Sequence, residues 1–333
     1  METLNICPST LAVGHETYSP IARKRLFAGK NVSPFLPYNP IEENSQEIEL
    51  FIKNQEYISI SGVQNKYSLV VNDNRFELSK RDEQGTFILK PKLTNFQFKA
   101  YSPANENLTM QLAEQVYNIE TAANGLCFFK NAEMAYVTKR FDINSDGSKL
   151  RIEDFASLAG LTSENKGKDF KYDVLSYEEV AGLIHKYVAA SRVELLKFFD
   201  LMLFNFLFSN GDAHIKNFSL IETSVGDFKL APAYDLINTN LHLPNNPIFA
   251  LSKGLFKEGD KIACPMGLYT GNTFLRFGER LGIPTNIIKR EIDRFCANYE
   301  KTDALIFNSY LSDELKEMYR TMYLTRREAY LKG

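Results

Sequence analysis

The chain has 333 residues, 44% hydrophobic and 24% charged, an ordinary globular balance with length enough for a two-lobed enzyme. A formal net charge of −2 gives no whole-chain signal for nucleic acid or a membrane surface, so neither is an expected partner. The four cysteines, Cys7, Cys127, Cys264 and Cys296, contain no C-x-x-C pair. That argues against a structural zinc site or a disulfide framework and for free thiols in a reducing, cytoplasmic setting.

Met1–Ala12 has no basic start followed by an apolar run, so it does not read as a signal peptide. Residues 1–40 are rich in Pro, Ser, Asn and Gly and read as an irregular leader around a first lobe. Ile41–Gln55 is acidic and amphipathic, which predicts a helix. Short β-prone runs follow at Tyr57–Ile60, Lys66–Val71, Arg75–Leu78 and Thr86–Leu89, separated by the turn signals Ser61-Gly62, Asn72-Asp73-Asn74 and Gln84-Gly85. Asn105–Thr121 has helical spacing, and Leu126–Phe129 and Met134–Phe141 return to strand character.

Beyond Asp142 the composition turns helical. Ile152–Ala159 reads as a short helix. Ser176-Tyr-Glu-Glu179 and Ser191-Arg-Val-Glu194 fit the capping-box pattern and predict helices over 177–190 and 192–209. The second contains the most apolar stretch, Leu195–Phe208, too short to span a bilayer and interrupted by Lys197, Asp200 and Asn205. Phe218–Ile221 and Phe228–Leu230 predict a hairpin, and Ile287–Ala297 and Asp313–Lys332 are the clearest helices of the tail. The pattern implies an α+β chain with a β-rich N-lobe, residues 1–141, and a mainly α-helical C-lobe, residues 142–333. That is the general plan of a kinase, with a nucleotide held between lobes.

The strongest chemical signal is Ser209-Asn-Gly-Asp-Ala-His-Ile-Lys-Asn217, between the apolar helix and a strand. Asp212 and Asn217 have the D-x-x-x-x-N spacing of a kinase catalytic loop. Phosphoryl transfer needs a carboxylate to orient the attacking hydroxyl and accept its proton, and hard oxygen ligands for Mg²⁺. His214 and Lys216, between them, could meet phosphate charge. Asp235, in Ala233-Tyr-Asp-Leu236, stands where a second metal-binding carboxylate is expected. Lys90 ends the apolar run Phe87-Ile-Leu-Lys90 as a phosphate-contacting lysine would. Glu106, at the start of the 105–121 helix, could pair with it.

Each feature alone has a plainer reading. Asp212 could be a turn residue, Lys90 a solvated strand end, Asp235 a cap, and Glu106 a first-turn acid favoured by the helix dipole. Their order along the chain favours the kinase reading. Other sites fit worse. Gly160…Gly167-Lys168 has the wrong spacing for a P-loop and Asp169 where Ser or Thr should stand. His15, His185, His214 and His242 form no zinc pair, and no G-x-S-x-G elbow is present. The loop Ser59-Ile-Ser-Gly-Val-Gln-Asn-Lys66 joins two predicted strands. It is either a plain hairpin turn or a phosphate-covering loop, with backbone N–H groups near Gly62 and the Lys66 ammonium facing anionic oxygens. In the second case Ser59 and Ser61 lie near the γ-phosphate and are open to self-phosphorylation, whose charge would repel ATP.

S-I-S-G-V-Q-N-K, F-I-L-K-P, N-E-N-L, V-T-K-R-F-D, E-D-F-A-S-L-A-G, N-G-D-A-H-I-K-N-F-S-L and P-A-Y-D-L together resemble the HipA-type toxin kinases, in order from Ser59 to Asp235. The resemblance implies a two-lobed, protein-kinase-like fold and an ATP- and Mg²⁺-dependent Ser/Thr protein kinase, the toxin of a toxin–antitoxin system. It implies Asp212 as catalytic base, Asn217 and Asp235 on Mg²⁺, and Lys90 on the ATP phosphates. Ser61, Gly62, Val63, Gln64, Asn65 and Lys66 would cover the phosphates. Lys139, Arg140 and Phe141 would meet adenine, and His214, Lys216 and Tyr234 would line the site. Ser59 matches the family's autophosphorylated serine, whose modification inactivates the kinase.

Only about 55 residues precede the phosphate loop, so the family's separate N-terminal subdomain is expected to be missing, as in the short split form HipT, which shares the S-I-S motif. That form implies a small HipS-like antitoxin supplying the missing subdomain, a helix-turn-helix, HipB-like DNA-binding antitoxin, and an aminoacyl-tRNA synthetase (tryptophanyl or glutamyl) as substrate. A small-molecule or lipid kinase on the same scaffold, or a pseudokinase binding module, stays open at the level of the residues.

Overall fold

A computed structural model describes residues 4–40, 65–94, 96–144, 146–244, 246–264 and 268–328. The predicted helix 41–55, the strand 57–60 and the loop positions Ser59, Ser61, Gly62, Val63 and Gln64 lie outside them. The chain divides into two compact units that are not contiguous in sequence. One comprises residues 1–111, 122–141 and 307–312, and the other residues 112–121, 142–306 and 313–333.

The first unit opens with α1 (Pro20–Phe27), a helix inside the segment expected to be irregular. Its start is legible afterwards: Ser19 accepts a hydrogen bond from the Ala22 N–H, and Pro20 supplies a preset φ at the first turn. Three strands follow, β1 (Tyr67–Asn72), β2 (Arg75–Leu78) and β3 (Phe87–Lys90). Then come α2 (Ser102–Gln115), β4 (Asn124–Phe128) and β5 (Met134–Lys139). The strands form one antiparallel sheet in the order β2-β1-β3-β5-β4. Tyr18, Phe27, Phe76 and Phe87 interlock on one face, with centroids of successive pairs 5.1 to 5.6 Å apart. The leader protects the edge strand β4: Phe128 N–H donates to Pro34 O at 2.8 Å and Leu126 N–H to Pro8 O at 2.6 Å.

Helix α2 begins three residues before the predicted start, because Ser102-Pro103 opens it. It stops at Gln115 instead of Thr121, and Asn118 follows in the left-handed region at φ 54°, a conformation that ends helices.

In the second unit, β6 (Ile152–Asp154) and α3 (Phe155–Leu158) replace the single helix expected over 152–159. Asp154 accepts from the Ser157 N–H and so caps α3, while Ile152–Asp154 pairs with a distant strand. The short helices α4 (Ser163–Lys166) and α5 (Phe170–Asp173) lead to α6 (Tyr177–Tyr187) and α7 (Ser191–Leu207). β7 (Ser219–Glu222) and β8 (Phe228–Leu230) pair as a hairpin, and with β6 they make a sheet in the order β6-β7-β8. The tail comprises α8 (Asp260–Ala263), α9 (Gly271–Arg280), α10 (Thr285–Ala297), α11 (Tyr299–Phe307) and α12 (Asp313–Arg326).

The Ser176 capping box forms. The Ser191 box does not: Ala190 is the cap, and the buried Glu194 carboxylate instead accepts from Leu230 N–H at 2.9 Å and pairs with Lys197 at 2.9 Å. Burial of that carboxylate against the β8 backbone competes with local capping and wins. Around α7 the second unit's core is aromatic, with Phe198 on Phe218 at 5.5 Å and Phe206 on Phe274 at 5.1 Å. Among the described residues no helix is long and apolar enough to cross a membrane.

Candidate active site

In the first unit Lys90 ends β3 and Glu106 lies in the second turn of α2, not in its first. Lys90 Nζ is 2.5 Å from Glu106 Oε1, with both side chains buried. The ammonium also lies 5.3 Å from the centroid of Tyr136, its register partner on β5. Lys66 directly precedes the Tyr67–Leu89 pair, so it stands at the same end of the sheet as Lys90, and Asn65 beside it is exposed. Lys139 ends β5. The N–H groups of Lys139 and Arg140 donate to Ala123 O at 2.8 Å and Thr86 O at 2.9 Å. A purine reading residues 139–141 through the backbone would therefore not find those two as donors.

In the second unit α7 runs directly into the loop 209–217. Ser209 turns the chain at φ 56°, and Asn210 is tied back to Asn205 through both backbone and side chain. Thr239 braces the turn. Its Oγ1 donates to Ser209 O at 2.9 Å and accepts from Gly211 N–H at 3.0 Å. Position 211 requires glycine, since a Cβ there would stand 2.5 Å from Pro247 O and 2.6 Å from Asn246 Nδ2. Asp212 is held half-buried by its N–H to Asn210 Oδ1 at 3.3 Å. Asn217, five residues on, donates its Nδ2 to Asp212 O at 2.8 Å. The amide nitrogen is thereby committed, which leaves the amide oxygen as a neutral hard ligand.

His214 is buried, and its Nδ1 has no partner among the described residues. Burial holds its pKa below the ordinary range, against the opposing charge of Asp212; Lys171 adds to the lowering, and Asp235 opposes it. One imidazole thus feels both aspartates. Asp235 itself sits in the left-handed region at φ 57°, a conformation Asp tolerates better than most residues and one that concentrates at functional sites. Tyr234, before it, donates to Lys216 O at 3.1 Å and meets Ser219 Oγ at 2.6 Å, which locks the segment against β7. Lys216 turns its ammonium to Asp154 of β6 at 2.8 Å.

Two contacts carry no sequence signal. Tyr172 of α5 donates its hydroxyl to Asp212 Oδ1 at 3.1 Å, and Tyr177 of α6 donates to Ala213 O at 2.8 Å. Nothing in Lys168-Asp-Phe-Lys-Tyr172 marks a residue bound for a loop 40 positions away. Among the described residues no three His, Cys, Asp or Glu side chains cluster to hold a metal ion. An Asn amide oxygen and an Asp carboxylate, the groups that Asn217 and Asp235 carry, are the hard donors that Mg²⁺ takes, one or two from the protein, with phosphate oxygens and water completing its shell.

The HipA-like C-terminal domain model matches residues 58–302. A Haemophilus influenzae protein named provisionally as a kinase is 27% identical over 88% of this chain and 87% of its own length. The Shewanella oneidensis serine/threonine-protein kinase toxin HipA is 27% identical over 82% of this chain and 64% of its own. The solved Shewanella oneidensis complex of HipA, HipB and operator DNA contains a chain of similar fold. It matches with a TM-score of 0.65 and 23% identity, over 83% of this chain and 65% of that one. The chain thus spans slightly under two thirds of the length in both Shewanella matches. With most of its length matched by that family model, this chain belongs to the HipA-like C-terminal domain family.

Proposed function

We propose that this chain is an ATP- and Mg²⁺-dependent Ser/Thr protein kinase and the toxin of a toxin–antitoxin system. The observation that carries the reading is the loop 209–217. Asp212 presents its carboxylate there, while Asn217 is tied to the Asp212 backbone at 2.8 Å. Asp212 orients the acceptor hydroxyl and takes its proton as the new P–O bond forms, and ADP leaves. Asn217 and Asp235 hold the cation, which when bound neutralises charge on the β- and γ-phosphate oxygens. Lys90, fixed by Glu106, contacts the phosphates. Lys66 and the loop from Ser61 through Gly62, Val63, Gln64 and Asn65 cover them. Lys139, Arg140 and Phe141 meet the adenine, and His214, Lys216 and Tyr234 line the site.

The finer parts of the reading rest on the family resemblance. They are an aminoacyl-tRNA synthetase as substrate, self-inactivation at Ser59 or Ser61, a small HipS-like antitoxin and a DNA-binding HipB-like antitoxin. The Shewanella complex with HipB and operator DNA supports an antitoxin partner. The test incubates the purified chain with Mg-ATP and a bacterial translation extract, beside Asp212→Gln. Phosphate should appear on a synthetase and on the 59–61 segment with the wild type alone. Equal labelling by both chains would remove Asp212 as the base. A labelled small molecule with no labelled protein would favour a metabolite kinase.

A further inference from the structure

We infer that Tyr172 is a positioning residue for the proposed base: its phenol fixes the Asp212 carboxylate through one oxygen and leaves the other for the acceptor hydroxyl. The inference rests on the kinase reading and adds to it a residue from outside the loop and its neighbours.

The Tyr172 hydroxyl donates to Asp212 Oδ1 at 3.1 Å. Among the described residues no other hydrogen bond or ion pair reaches that carboxylate, so Oδ2 remains open. The phenol is itself held in place. Its backbone carbonyl accepts from Ser252 N–H at 2.9 Å, its N–H donates to Asp169 O at 2.8 Å, and its ring meets the edge of His214 at a centroid distance of 5.2 Å. Burial, and then the Asp212 charge, hold its pKa above the ordinary phenol value, so the hydroxyl stays protonated and always donates. An acceptor-only carboxylate with one oxygen tethered has a fixed plane. The free oxygen then addresses one direction, which is what a base needs in order to meet a hydroxyl in line with a phosphate. The ring also meets His214, whereas the hydroxyl bonds Asp212, so removing the hydroxyl alone tests the effect that passes through Asp212.

The experiment measures steady-state phosphoryl transfer by the full chain with Mg-ATP and a protein acceptor, for wild type, Tyr172→Phe and Asp212→Asn. Phenylalanine keeps the ring on His214 and removes only the donor. The expected result is a kcat roughly ten- to a hundredfold lower, the scale of one hydrogen bond to a charged group, with KM for ATP within about twofold and the unfolding midpoint unchanged. A kcat equal to wild type overturns the inference, as does a higher one, which would make the phenol a block. A loss carried by KM for ATP also overturns it. Activity in wild type, its loss in Asp212→Asn and full activity in Tyr172→Phe would sink the Tyr172 role alone. No transfer by wild type would sink the kinase reading and this inference with it.

Discussion

Lys90 and Glu106 form a buried ion pair at the end of β3. A buried ion pair adds little over an apolar pair of the same shape, but breaking one side leaves a desolvated charge. Glu106→Gln should therefore lower unfolding free energy by about 3–5 kcal/mol, while Lys90→Met with Glu106→Leu should cost clearly less, both read by urea denaturation. An additive double variant would mean that the two side chains do not interact. Gly211→Ala should lower turnover roughly a hundredfold, because the loop must move away from Pro247 O. Asp200 offers a pH test. Burial pushes its pKa up to about 7, against the Arg294 guanidinium 2.6 Å away. A carboxyl whose folded value lies above the unfolded one, about 3.9, contributes stability that is full below the unfolded value and lost as pH rises through the folded one. Wild type should therefore lose stability relative to Asp200→Asn between about pH 4 and about pH 7. A constant difference across that window would refute the shift.

Two serines set the lesson for the elements. Ser176 and Ser191 stand in the same S-x-x-E pattern, yet only the first closes a capping box. At the second, Glu194 has a buried backbone N–H to satisfy on β8. Ser176→Ala should accordingly destabilise by about 0.5–2 kcal/mol and Ser191→Ala by little, compared by their denaturation midpoints. The same competition explains β6. Ile152-Glu-Asp154 carries no alternating pattern long enough to read as a strand, and it becomes one because β7 offers it an unpaired edge. The five-stranded sheet, by contrast, was largely legible, since its turn residues and short apolar or aromatic runs are local signals.

The division of the whole molecule follows contacts and not the chain. Residues 112–121 belong with the helical unit, where Tyr117 stacks on Phe295 at 4.6 Å and meets Phe204 and Phe208 at 5.7 and 5.4 Å. A fragment starting at Asp142 loses that ring and should be molten, with weak near-ultraviolet dichroism, whereas one starting at Leu112 should keep it. Equal spectra from the two fragments would show that the segment is dispensable.

By itself the sequence determined the family, the D-x-x-x-x-N loop and the type of most of the longer elements, because periodicity, turn residues and motif spacing are properties of neighbours along the chain. The pairing of Lys90 with Glu106 was only a possibility at that level. The tethering of Asp212 by Tyr172, the bracing of its loop by Thr239, and the engagement of Lys216 by Asp154 were decided by the tertiary structure. Each joins groups separated by tens of residues, and only the packing of distant segments against one another brings such partners together.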